Sequence, residues 1–212
     1  MMPFRRTRKI DRIASAPPGY ARTQSRADLV RHAALLDSLP RPREVRLATT
    51  PGRIPGTWNL DVAARDQPGL LARFTGVLAA HGIDVVQAVI ATWDDGAALQ
   101  AFVVRSGTPP ETKEFERALG RRLLPQPIDD AALSFDNDAS PNYTLCEVTA
   151  PDRPGLLHAI AVAFAHAGID IHAAAVSTVD GVARDRFDLT DSAGQQLCFR
   201  RVNSTFQTLT EF

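Results

Sequence analysis

One stretch of this chain is written twice. Asp66-Gln67-Pro68-Gly69-Leu70-Leu71 leads on to His81-Gly82-Ile83-Asp84-Val85, and Asp152-Arg153-Pro154-Gly155-Leu156-Leu157 leads on to Ala167-Gly168-Ile169-Asp170-Ile171. These matches share one offset of 86 residues, which persists to Thr92 and Thr178. Beyond them the offset is 85, pairing Gly96 with Gly181 and Phe102 with Phe187, as a one-residue change in a hairpin would do. Self-similarity at a fixed period marks a tandem of one supersecondary unit. The 212 residues have room for two small domains or one larger one.

Each copy reads as the same string of elements. Proline suits the first turn of a helix, where its missing N–H has no intrahelical partner. Asp66 and Asp152, just before Pro68 and Pro154, are placed to cap free amides and complement the helix dipole. Leu70, Leu71, Phe74, Val77 and Leu78 recur as a buried helix face, repeated by Leu156, Leu157, Ile160, Ala163 and Phe164. Gly82 and Gly168 follow as C′ residues able to take positive φ. Strands are predicted at 83–92 and 169–178, Asp-Gly turns after them, and return strands at 97–104 and 182–189.

Strands at 58–64 and 142–149 precede the two motifs, and short strands at 44–49 and 131–136 precede those. Leu47 and Leu133 share the offset of 86, so the leading strands belong to the repeat. Thr108-Pro109-Pro110-Glu111 predicts a helix over 109–124 with Thr108 as its cap. Phe199, Val202, Phe206 and Leu209 predict a last helix. No strand candidate follows it, so a four-stranded second module must borrow a strand, and 44–49 is the candidate. The boundaries drawn are a basic arm and short helix over 1–43, a first module over 44–137 and a second over 138–212.

Residues 1–24 hold Pro3, Pro17, Pro18 and Gly19 with no apolar period, which predicts a disordered or loosely held arm. Ser25 then caps a short helix with Leu29, His32, Ala33 and Leu36 on one face, where His32 reads as a packed or surface histidine. Residues 1–50 carry eleven Lys/Arg against four Asp/Glu and the rest thirteen against twenty, so a net charge of zero hides +7 and −7. A basic arm can seek nucleic acid or an acidic partner. With only Phe4 and Tyr20 to stack on bases, it reads as a solvated tail, and no nucleic acid is expected. No apolar run reaches the roughly 18 residues of a membrane span, and no apolar stretch follows the N-terminal charges as a secretory signal requires. Cys146 and Cys198 have no metal spacing and read as reduced thiols in apolar surroundings, which suits a cytoplasmic protein without a membrane partner.

The repeated turn has a chemical use. Glycine admits close backbone approach, and the helix behind it offers unpaired N–H groups to a carboxylate. Asp66 or Asp152 beside it can accept from an ammonium. The turn therefore suits both ends of an α-amino acid. No Ser-His-Asp or Cys-His pattern is readable, and His158, His166 and His172 lack carboxylates at metal spacing. Neither a catalytic residue, a metal nor a cofactor is predicted.

Asp-x-Pro-Gly-Leu-Leu, an amphipathic helix, Gly-Ile-Asp-Val/Ile and an Asp-Gly hairpin together resemble the ACT domain, a small amino-acid-sensing module. The tandem is similar to the C-terminal ACT pair of the bifunctional PII uridylyltransferase/uridylyl-removing enzymes, where a similar Pro-x-x-Tyr and a His-Ala helix precede it, here Pro17 to Tyr20 and His32-Ala33. The resemblance covers roughly residues 17–190. It implies an α+β fold of two ferredoxin-like βαββαβ modules side by side. It also implies glutamine or a related amino acid as ligand, sensed to report nitrogen status, with a PII-type or catalytic chain as protein partner and a homodimer left open. Carried over residue by residue, it places ligand contacts at Asp66, Pro68, Gly69, Leu70 and Leu71 with Asp170, and at Asp152, Pro154, Gly155, Leu156 and Leu157 with Asp84. Many ACT domains have Asn where Asp84 and Asp170 stand, and an ionised Asp accepts but does not donate. The enzymes' nucleotidyltransferase motif and His-Asp metal pair are absent from the sequence. The expected function is a non-catalytic regulatory amino-acid sensor acting allosterically. The alternatives are a protein-interaction module with vestigial ligand loops, or a regulatory fragment that works beside a separate catalytic chain.

Overall fold

The computed structural model describes residues 11–108, 111–124, 128 and 130–198. In order these form α1 (Pro18–Thr23), α2 (Arg26–Leu35), β1 (Val45–Pro51), β2 (Thr57–Arg65), α3 (Leu70–Ala80), β3 (Asp84–Thr92) and β4 (Ala97–Arg105). Then come α4 (Thr112–Ala118), β5 (Ala132–Asp136), β6 (Thr144–Pro151), α5 (Leu156–His166), β7 (Ile169–Val179) and β8 (Val182–Asp191). The eight strands make one sheet in the order β1-β2-β4-β3-β7-β8-β6-β5. Every neighbouring pair is antiparallel. β2 and β3, joined by α3, flank β4, and β6 and β7, joined by α5, flank β8: the split βαβ of a ferredoxin-like module, made twice.

The halves join where β3 pairs with β7, from Gln87 opposite Ser177 to Ala91 opposite Ala173. On one face of this seam α3 packs along α5. The core beneath them is built from Leu60, Phe74, Phe102, Phe164, Phe187 and Leu189, all essentially without solvent exposure. Burial of such side chains stabilises by about 1.5–3 kcal/mol each. The modules therefore share a core as well as a sheet.

The second module borrows no strand from 44–49. β1 instead pairs with β2, Val45 opposite Ala64 through Pro51 opposite Trp58, and β5 pairs with β6. Closing β1 onto β2 needs only the loop at 52–56, a local contact with a small entropy cost. Residues 132–136 serve the second module in the same way, by way of the connector at 137–143.

Helix starts differ from the expectation in a consistent manner. α3 begins at Leu70, with Gly69 as its N-cap at φ 73, and α5 at Leu156, with Gly155 at φ 81; neither has a side-chain cap. Pro68 and Pro154 therefore lie ahead of the first turn, and Asp66 and Asp152 do not cap it. α4 runs over 112–118, where Glu111 and Glu114 close a capping box three residues later than the one read at Thr108. The expected last helix at 199–209 lies outside the described residues.

The hairpins explain the slip in the repeat. In the first, Trp93 and Ala97 face each other across Asp94-Asp95-Gly96, with Gly96 at φ 80. In the second, Val179 opposes Val182 across Asp180-Gly181 alone, both at positive φ, the mirror-image two-residue turn that matches strand twist. One loop is a residue shorter than the other.

Of the arm expected to be loose over 1–24, residues 1–10 lie outside the described residues, and 11–24 are held, together with the helix that follows, as residues 11–39. They cover the face of the first module's sheet opposite α3, where Ala63, Ala91, Ala97 and Leu99 are buried with Tyr20, Leu36 and Trp93. Arg12, only 4% exposed, pairs with Asp95 at 2.8 Å and donates to the Leu36 carbonyl at 2.7 Å. The indole of Trp93 donates to the Arg12 carbonyl at 3.1 Å. An apolar outer face left open would have needed covering. The second module's outer face carries Glu147, Arg184 and Arg186, all exposed, and among the described residues nothing covers it.

Candidate functional site

Two clefts lie at the seam, related by the repeat. The Asp66 cleft joins Asp66, Gly69, Leu70 and Leu71 of the β2–α3 loop and helix start to Ile169 and Asp170 at the start of β7. The Asp152 cleft joins Asp152, Gly155, Leu156 and Leu157 to Ile83 and Asp84 at the start of β3. Sequence reasoning named all of these positions except the two isoleucines. Pro68 and Pro154 are exposed and line neither cleft. The reason each cleft draws on both modules is the β3–β7 pairing, which brings one module's loop to the other's second strand.

Among the lining residues not anticipated, one in each cleft is a buried polar side chain with an unmatched oxygen. Gln100 on β4 is 1% exposed and Asp185 on β8 is 3% exposed, and each has a side-chain oxygen, Oε1 and Oδ1 respectively, with no hydrogen-bond partner. They are repeat equivalents at the offset of 85. The signal was legible: each interrupts an apolar stripe, Gln100 between Ala98 and Phe102, Asp185 between Ala183 and Phe187. A buried acceptor left unmatched costs about 1–3 kcal/mol, so such atoms call for a donor.

Both clefts are rich in carboxylates, and Arg153 and His158 also line the Asp152 cleft. Burial, and then the nearby Asp170 carboxylate, push the Asp66 carboxyl up to about 6. Burial pushes Asp185 up to about 7, with Asp152 adding repulsion and the Ser177 amide partly offsetting it. Asp152 accepts from the Thr178 hydroxyl at 2.9 Å, and Asp84 is paired with Arg105 at 3.3 Å on the exposed side. Beside these carboxylates, α3 and α5 start without a side-chain cap; Leu70 N–H donates to the Gln67 carbonyl and Leu156 N–H to the Arg153 carbonyl, each at 3.1 Å, which leaves the later amides of each first turn for a ligand. An acid-lined wall next to a helix N-terminus suits a zwitterion, ammonium to the carboxylates and carboxylate to the amides. The cavities measure about 20 and about 30 Å³. That is room for water and not for a whole amino acid.

Gly69 also holds the two modules close. A Cβ there would meet Leu123 Cδ1 at 3.0 Å and Ala165 Cβ, on α5, at 3.4 Å, whereas at Gly155 it would meet only Ala79 at 4.0 Å. Left-handed backbone costs a non-glycine residue about 1–2 kcal/mol at either position. Gly69→Ala is therefore expected to destabilise more than Gly155→Ala in urea unfolding. Equal losses would show that the contacts at Gly69 yield without cost.

A larger cleft, about 560 Å³, lies on the opposite face between α2, loop 52–57 and strands β2, β4 and β3. One wall is an ion-pair network: Asp61, 2% exposed, takes Arg31 Nε at 2.5 Å and His32 Nε2 at 3.1 Å. Arg31 also reaches Asp28 at 2.7 Å, and the Tyr20 hydroxyl meets His32 Nδ1 at 2.5 Å. His32 is thus a packed histidine that ties the arm to the sheet. Burial works to raise the Asp61 carboxyl, but hydrogen bonds from His32 and Arg31 outweigh it and hold the group below its usual range.

The remaining histidines are separate. His158 meets the Ala72 carbonyl across the α3–α5 seam, His166 the Leu123 carbonyl, and His172 the Thr190 hydroxyl. Among the described residues no group of three or more His, Cys, Asp or Glu is placed to hold a metal, and no helix is long and apolar enough to cross a membrane. Cys146 is buried, its thiol pushed up to about 12 by desolvation and then by Glu147, but Cys198 is exposed, against the expectation of an apolar setting.

A family model of the ACT domain matches residues 59–123 and 144–196, more than half of the chain. The chain belongs to the ACT-domain family. ACT domains are regulatory amino-acid-binding modules, and this chain carries two. It is similar to bifunctional uridylyltransferase/uridylyl-removing enzymes: 32% identical over 196 residues to that of Gluconobacter oxydans, covering 79% of this chain and 21% of the relative. The Rhodospirillum rubrum enzyme is 29% identical, with 86% and 22% covered, and that of Novosphingobium aromaticivorans 34% identical, with 67% and 18% covered. The chain thus spans about a fifth of the length of these curated relatives, over their ACT region.

Proposed function

We propose that this ACT pair is a non-catalytic amino-acid sensor whose two seam clefts are the ligand sites. In this reading Asp66, Gly69, Leu70 and Leu71 with Asp170 form one site, and Asp152, Gly155, Leu156 and Leu157 with Asp84 the other. The observation that carries it is that each motif meets the other module's Asp in a cleft with an unmatched buried acceptor. Ligand carboxylate takes the helix amides, ligand ammonium takes the Asp pair, and Gln100 accepts from a donor on the side chain. A carboxamide supplies that donor, which supports glutamine for the Asp66 cleft. Binding, in this reading, is coupled to movement of the modules against each other. That movement is the signal read by a protein partner, a PII-type protein or a catalytic chain of the kind the relatives contain, in the cytoplasm. A coupling of about 1–3 kcal/mol between ligand and partner is typical.

The test is calorimetric titration of the protein with each of the twenty amino acids. Saturable binding of glutamine, with one or two sites per chain, is expected. A panel without binding would remove the sensor reading and leave a protein-interaction module as the function.

A further inference from the structure

The two clefts are not chemically alike, and the difference sits where a ligand's side chain would end. Gln100 and Asp185 occupy equivalent positions of β4 and β8, face the helix side of the sheet and are buried with one oxygen unmatched each. The first is a neutral amide and the second a carboxylate. The acids at the mouths differ in the opposite sense. Asp84 is drawn away by Arg105, whereas the residue equivalent to Arg105 is Thr190, which carries no charge to set against Asp170. In the Asp152 cleft, which Arg153 and His158 also line, one mouth carboxylate is thus partly neutralised while the deep one keeps an oxygen unmatched. In the Asp66 cleft both carboxylates are near the mouth and the deep group carries no charge.

We infer that the two sites take different classes of amino acid: the Asp66 cleft one with a neutral hydrogen-bond-donating side chain, the Asp152 cleft one with a cationic side chain that reaches Asp185. This rests on the reading of the clefts as amino-acid sites. A cationic donor gives Asp185 a charge-assisted hydrogen bond, and such bonds are roughly twice as strong as neutral ones. A neutral side chain leaves the buried carboxylate without its counter-charge. Beside Gln100 the preference inverts, because an ammonium desolvated against an amide loses its water without gaining an opposite charge.

The experiment is a pair of titrations of the whole chain with L-glutamine and L-lysine, alone and in competition. Wild type is expected to bind one of each, with neither displacing the other. Asp185→Gln, which copies the residue at 100, should weaken lysine at least tenfold and leave the first glutamine site unchanged. Gln100→Asp should give a second lysine site. Mutual displacement of the two amino acids at a single wild-type site would overturn the inference while the sensor reading survives. So would glutamine filling both sites without any lysine binding, or a lysine-to-glutamine ratio unmoved by Asp185→Gln. A chain that binds no amino acid would sink both. Because the competition uses wild type only, the inference stays exposed even where a variant fails to fold.

Discussion

Asp61→Ala is expected to cost about 3 kcal/mol of stability and to release the arm from the sheet. Asp61 is the one acidic acceptor shared by Arg31 and His32, and through His32 it is linked to Tyr20. Removing one partner of a buried ion pair costs about 3–5 kcal/mol, because the other charge is left uncompensated. Here the lower end applies: the Arg31 side chain is 27% exposed and keeps Asp28. The methyl group of alanine also leaves Tyr20 and Trp93, ring centroids 5.4 Å apart, packed on a weakened helix. Urea unfolding gives the loss, and limited trypsin digestion reads the arm, since Arg22 and Arg26 become cleavable once α1 and α2 detach. A loss below about 1 kcal/mol with unchanged digestion would show that apolar packing alone holds the arm.

Asp185→Asn is expected to act in the opposite direction at neutral pH and to reshape the pH profile. The carboxyl titrates near 3.8 when unfolded and at about 7 when folded. Between those values the folded chain holds the extra proton, so stability falls as pH rises through that window. Asp66 adds the same trend up to about 6. A shift of this size corresponds to a ceiling of about 4 kcal/mol, and relaxation and water entry bring the expected gain of Asp185→Asn to about 2 kcal/mol at pH 8, with little change at pH 4. Urea midpoints measured across that range check it. A wild-type profile that is flat or rises from pH 5 to 8 would contradict the burial of an unmatched carboxyl. The titratable and charged groups that share this cleft with Asp185 are Asp152 and Arg153 from the β6–α5 loop, His158 on α5 and Asp84 at the mouth; the charge that acts on Asp185 is Asp152, which adds to the penalty, and among the described residues Asp185 has no ion-pair partner. A bound ammonium would supply one, and ligand affinity for that cleft should rise over the same pH window.

Much of the architecture was written locally. The apolar stripe of α3 and its repetition in α5, the glycines at positive φ and the one-residue difference between the hairpins all depend on residues within a turn or two of each other. The repeat multiplied their weight, because a chance Pro-Gly does not recur with the same strand start behind it. The pairing of motif with the opposite module's Asp came from family resemblance, and the β3–β7 junction is the contact that makes it geometrically available.

Three things were decided only in the folded chain. Whether 44–49 pairs with β2 or crosses to the second module depends on the competition between loop entropy and a distant sheet edge, which no local pattern contains. The arm looked solvated because its charges and prolines have no period; Arg12, Arg31 and His32 became packed because Asp95, Leu36 and Asp61 happened to lie under them. Gln100 and Asp185 broke an apolar stripe in plain view, but that each would end with an unmatched oxygen is set by what the neighbouring module leaves beside it. Periodicity determines which face of an element is buried; only tertiary contact determines which polar atom on that face is left without a partner.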